Sequence, residues 1–263
     1  MFGLGCSKGE KGGLFSCNET LSKKQQSIVN REIELINLAK TLVEEQGFAN
    51  FTMDKLTAIS PYSKGTIYNH FCSKEDVVLA LCILSLKKEA AMFIRSSAFE
   101  GTSREKVMAM HVAYRLYVQM EPVLSDCAMT AKTPWVLDKA SPKRVQELNK
   151  LEEEVIKSAD LLVQHAVETG DLQYSSGLSA DAIVFANWSV AFGSNALAKN
   201  ASESYCIDRL QDPYSVLHNA SILLDGLNWK PLSSEWDYRK TWQRVEQELF
   251  PEEVAFLASK GLR

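Results

Sequence analysis

The sequence has no C-x-x-C pair, and its six cysteines (Cys6, Cys17, Cys72, Cys82, Cys127 and Cys206) are scattered along 263 residues. Spread this way through a long chain, they read as unpaired thiols of a reducing, cytoplasmic compartment, and a disulfide-stapled scaffold is excluded. No uncharged apolar run approaches the roughly 18 residues that span a bilayer, so no membrane partner is expected. Glycine (13) and proline (7) are sparse, which excludes collagen-like and low-complexity chains. Positive charge is in deficit: 29 Lys+Arg stand against 33 Asp+Glu, a formal net charge of −4. Taken alone, that balance argues against a nucleic-acid binder, since such domains are ordinarily basic. Catalytic motifs are missing as well. None of the four histidines has Glu three residues before it, and H-E-x-x-H, G-x-S-x-G and P-loop spacings are absent. No catalytic residue, metal ligand or cofactor is therefore expected, and an all-α enzyme built on other residues stands only as a third reading.

What remains is an ordinary globular composition, 46% apolar and 24% charged, with ample chain for a core. Residues 1–23 hold five glycines and little periodicity, and are expected to form a flexible tail. Beyond them the helical period dominates, and the fold class is all-α. One stripe (Leu35, Leu38, Ala39, Leu42, Val43) stops at Gly47, and short helices fit 52–59 and 63–71. Ser73-Lys-Glu-Asp76 is a capping box opening a helix to about Ser97, and further helices are expected at 103–120 and from Pro142 to Gly170. Later ones are expected at 179–199, 213–228, from Ser233 or Ser234, and after Pro251. The helix beginning at Ser179 is apolar nearly all round from Ala182 to Phe192, which predicts burial on more than one side.

Chemistry concentrates between Ile28 and Ala80. Two short helices joined through Ser60-Pro61-Tyr62 make a helix-turn-helix, with Leu56, Ile59, Ile67 and Phe71 as its small core. The second helix keeps Ser63, Lys64, Gly65, Thr66, Tyr68, Asn69 and His70 for the outside. That set suits DNA. Lys64 opens the helix where base edges are read, and Gly65 lets the backbone approach closely. Tyr68, Asn69 and His70 can donate to phosphates, while Thr52 and Lys74 stand at two further helix N-termini. The bland alternative is a helical pair with a solvated polar face.

The strings Phe51-Thr-Met-Asp-Lys-Leu56, Tyr62-Ser-Lys-Gly-Thr-Ile-Tyr-Asn-His-Phe71 and Ser73-Lys-Glu-Asp76 resemble the DNA-binding domain of the TetR (tetracycline-repressor) family. One departure is the turn, where Ser60-Pro61-Tyr62 replaces the usual Ala-Gly-Val, and Tyr62 is a candidate extra DNA contact. The resemblance implies a helix-turn-helix domain over 24–76 and a larger regulatory and dimerisation domain over 77–263. It further implies a homodimer through the helices near 179–199 and 213–228, a double-stranded DNA operator with palindromic symmetry, and a small-molecule effector that releases the repressor. An activator, or a regulator answering to a protein partner, carries the same motifs. Candidate pocket residues are Met110, His111, Tyr114, Met129, Trp135, Phe185 and Trp188, each of which reads more readily as plain core. Cys72, between two helices of the motif, has a redox reading and a bland one as a small junction residue. The charge also divides. Residues 1–74 carry nine basic and seven acidic side chains, and the rest carry twenty and twenty-six, so the acidity belongs to the larger part.

Overall fold

The structure, a computed structural model, describes residues 22–174, 177–200, 204–205 and 212–262. Most of the expected tail, together with Cys6, Cys17 and Cys206, lies outside the described residues. No strand occurs among those described. Helix α1 (Lys23–Asn50) opens on a capping box between Ser22 and Gln25, and Gly47 (φ 75°, ψ 160°) kinks it short of its end. Helices α2 (Met53–Ile59), α3 (Lys64–His70) and α4 (Lys74–Ser97) each start on a hydroxyl cap, from Thr52, Ser63 and Ser73 respectively. Helix α5 (Ser103–Met120) has a Thr102–Glu105 capping box. Proline opens α6 (Pro122–Thr130), α7 (Pro134–Leu137) and α8 (Pro142–Glu168), where the missing N–H has no helical partner to lose. Helix α9 (Ala180–Asn200) follows Ser179, whose Oγ accepts the Ala182 amide at 3.2 Å. Helices α10 (Ser215–Gly226), α11 (Tyr238–Glu248) and α12 (Pro251–Ser259) end the chain.

The helix expected from Ser233 or Ser234 begins instead at Tyr238. Asp237 accepts the Arg239 and Lys240 amides and sets the start. Ser233 is held outside any helix: its amide donates to Asp225 Oδ1 at 3.0 Å, and its Oγ accepts from the fully buried Arg104.

Two apolar clusters form the core. One joins Leu35, Leu56, Ile67 and Phe71 to Val77–Ile83 of α4 and to Leu124, Val136 and Leu148. The other gathers Phe99, Val112, Tyr117, Leu224, Trp229 and Trp242. Helix α4 contributes to both, so packing is continuous across the expected boundary at 76/77. Ile59 does not join the core as expected. It ends α2 exposed, while Phe51 and Met53 close that side. Helix α9 is likewise buried on one side only. Ile183, Ala191 and Asn195 face inward, whereas Leu197 (54% exposed) and, on the neighbouring α10, Ile222 (71%) are largely uncovered.

Candidate functional site

Helix α3 buries Ile67 and presents the opposite face, with Ser63, Lys64, Gly65, Tyr68 and Asn69 exposed and Thr66 half-buried. Ser63 Oγ accepts the Thr66 amide at 3.3 Å, fixing the start of the helix. A Cβ on Gly65 would meet nothing of this chain within 4 Å, so the protein's own packing does not require glycine there. Lys64 Nζ donates to Asp54 Oδ1 at 2.8 Å and lies 5.9 Å from the centre of the Tyr68 ring. The Asp54 hydrogen bond raises the lysine pKa, so the group stays cationic. An exposed pair of this kind is worth about 0–1 kcal/mol, and a phosphate or base edge can displace Asp54.

Several expected contacts are otherwise engaged. His70 is turned inward: its side chain is 6% exposed and Nδ1 sits 3.4 Å from Glu32 Oε2 on α1, because the last residue of α3 lies in the seam where Phe71 anchors the motif. Tyr62 lies back on α1, donating its hydroxyl to Glu34 Oε2 at 2.5 Å beneath the Arg31 guanidinium, so it does not stand free for DNA as expected. Lys74 Nζ donates to the Phe48 carbonyl at 3.1 Å, satisfying the end of α1 rather than reaching outward. Thr52 Oγ1 accepts the Lys55 amide at 3.2 Å.

A second feature is a partly open, mainly apolar cavity of about 470 Å³ lined by α4, α5, α8 and α9. Met110, His111, Tyr114, Phe185 and Trp188 stand in its walls. Met129 and Trp135 do not: both point to the surface, since Leu124, Cys127 and Val136 occupy the inward positions of α6 and α7. His111 combines its two readings. Nε2 bonds Asn187 Oδ1 at 3.2 Å, yet Nδ1 is buried without a partner, and burial lowers its pKa. Glu89, unremarked in the sequence, also lines the cavity, and burial pushes its carboxyl up to about 7. Lys132 and Glu152 pair at the wall, with the ammonium 5.5 Å from the Trp188 ring centre.

Between these features lies a joint that no sequence motif signalled. Arg144, on the first turn of α8, donates through one nitrogen to Glu32 Oε1 (2.9 Å) and to the His70 carbonyl (3.0 Å). Its guanidinium also covers the Phe71 ring at 4.7 Å and lies 3.4 Å from the buried Asp76. Asp76 Oδ1 in turn accepts the Ser141 amide and hydroxyl, both at 2.9 Å. Glu121 adds a second joint, pairing with Lys40 of α1 and Lys88 of α4. Cys72, Cys82 and Cys127 are free, and burial together with the Asp76 carboxylate raises the Cys72 thiol pKa, which disfavours the reactive thiolate. Among the described residues no group of three or more His, Cys, Asp or Glu could hold a metal, and no helix is long and apolar enough to cross a membrane.

Residues 35–81 match the family of bacterial regulatory proteins, tetR family, by its N-terminal domain. No curated protein sequence matches the chain. Solved structures of the same fold include a bacterial regulatory protein in the tetR family from Rhodococcus RHA1, 14% identical, with 76% of this chain and 98% of that chain covered at a TM-score of 0.57. A TetR/AcrR-family regulator from Thermobifida fusca YX-ER1 is 21% identical over 75% of this chain and 98% of that one, at 0.56. The regulator FadR from Bacillus subtilis, solved in complex with stearoyl-CoA, is 16% identical over 74% and 98%, at 0.54. The motif strings of α2 to α4 and the exposed face of α3 agree with this match: residues 35–81 are a tetR-family N-terminal DNA-binding domain, and the all-helical chain around them has the fold of these solved structures.

Proposed function

We propose that the protein is a homodimeric repressor, released from a palindromic operator when a small molecule enters the cavity. In this reading residues 24–76 are the DNA-binding head and 77–263 the regulatory and dimerisation body. Lys64, Gly65, Thr66, Tyr68 and Asn69 meet the major groove. One observation carries the proposal: α8 walls the cavity with Val155, Ile156 and Ala159, and its first turn holds the last carbonyl of α3 through Arg144. A ligand that shifts α8 therefore acts on the recognition helix through a single rigid element, and only a difference in ligand affinity between the two arrangements is needed. The exposed apolar side chains of Leu197 and Ile222 support a dimer built on α9 and α10, which would set the two copies of α3 in successive major grooves. A small-molecule effector is in keeping with the stearoyl-CoA complex of the neighbouring FadR fold. The test selects DNA fragments with the purified full-length protein and then screens compounds for release. The expected result is a palindrome with half-sites about 34–36 Å apart, bound by a dimer and vacated on adding ligand. Selection of unsymmetrical sites, or occupancy that no cavity ligand changes, would overturn it.

A further inference from the structure

The cavity walls carry a lopsided set of charges. Glu89, Glu152, Asp160 and Asp181 line it against a single cation, Lys132, which is already paired with Glu152. Three acceptors in the walls lack a hydrogen-bond donor among the described residues. Glu89 makes no hydrogen bond or ion pair within the described residues. Asp160 Oδ1 is buried and unpartnered. Asn187 Nδ2 donates to the Ile183 carbonyl, so its Oδ1 is the acceptor facing His111; the histidine therefore carries its proton on Nε2 and leaves Nδ1 as a bare acceptor. His111 is 3% exposed, and a buried acceptor without a donor marks a missing hydrogen-bond partner. Aromatic rings surround these atoms, from Phe93 and Tyr114 on one side to Trp188 and Phe192 on the other.

We infer that the cavity takes an aromatic amine, with its ammonium group docked on the Glu89 carboxylate and its rings among Phe93, Tyr114 and Trp188. The inference rests on the reading of the cavity as the effector site and names the ligand class. A cation satisfies the unpaired carboxylate, brings N–H donors to these acceptors, and gains from nearby aromatic faces. An anion of the same shape meets a wall of carboxylates with no free positive charge to offset them.

The test is calorimetry on the full-length protein at pH 8 with three probes of one shape: 1-naphthylmethylamine, 1-naphthylmethanol and 1-naphthoate. The amine should bind about tenfold or more tighter than the alcohol, with naphthoate weakest. Glu89→Gln should bring the amine down to the level of the alcohol and leave the alcohol unchanged. The wild-type ranking decides the matter even if that variant fails to fold. Alcohol or naphthoate binding as tightly as the amine, no binding by any of the three, or a folded Glu89→Gln protein that keeps the gap would each overturn the proposal. Operator release is read separately. An amine that binds yet leaves DNA occupancy unchanged sinks the effector reading while the cation site stands.

Discussion

Arg144 donates to the carbonyl oxygen of His70 at 3.0 Å, so the first turn of a helix from the body closes the last turn of the recognition helix. The same side chain is held by Glu32 of α1 and covers Phe71. Movement of α8 therefore changes the end of α3 and its support from α1 together, rather than one at a time.

Replacing Arg144 tests that joint. Arg144→Ala leaves the buried Asp76 without its guanidinium, and breaking a buried pair of this kind costs about 3–5 kcal/mol. Arg144→Lys keeps the charge and loses the planar fork, so it should lie between the two. Urea unfolding of the three proteins measures this. An alanine variant as stable as the parent would show that the joint is held elsewhere.

Lys64→Ala and Tyr68→Ala should each weaken operator binding by about 1–3 kcal/mol with unchanged circular dichroism. Lys64→Ala should also flatten the salt dependence, by about 0.9 in the log–log slope for each phosphate that its ammonium neutralises. His70→Ala should behave differently, lowering thermal stability while keeping sequence preference, because its ring faces Glu32. Equal stability in all three variants, with His70→Ala losing DNA binding most, would contradict this assignment.

The apolar face of α9 and α10 should be the dimer seam. Leu197→Glu together with Ile222→Arg places charges on side chains that are 54% and 71% exposed in the single chain, so the monomer tolerates them and a packed seam does not. Sedimentation should report a dimer for the parent and a monomer for the double variant. A double variant that still sediments as a dimer would move the interface to another surface.

Glu89 should make stability depend on pH. Its carboxyl titrates at about 7 in the folded protein against an ordinary 4.5. Between those values the folded state keeps a proton the unfolded chain has released, so stability falls as pH rises through the window and stays low above it. Desolvation is the main cause, only partly offset by Lys132. The loss is on the order of 3 kcal/mol. Glu89→Gln removes the titration, so the variant's advantage in unfolding free energy should grow from pH 4.5 to 7. An advantage that is flat across that range would show that the carboxyl is not held protonated.

The helix-turn-helix was legible because its information is local. Hydroxyl caps at Ser63 and Ser73, Ile67 and Phe71 at helical spacing, and the motif strings all act within a few residues of one another. Contacts that depend on direction were not. His70, Tyr62 and Lys74 look like donors on paper, yet each meets a partner on α1 some 26 to 38 residues away in the chain. The same holds for the cavity. Aromatic and Met residues were readable as candidates, but which of them face inward depends on how α6 and α7 roll against α4, and this turned Met129 and Trp135 outward.

Caps, period and motif are properties of neighbouring residues, and they were enough for the all-helical class, most helix starts and the identity of the DNA-reading segment. They could not place Glu89 unpaired in a cavity or tie the body to the end of α3 through Arg144. Desolvation and a buried charge network exist only once distant helices pack, and Arg144 meets His70 across 74 residues of chain.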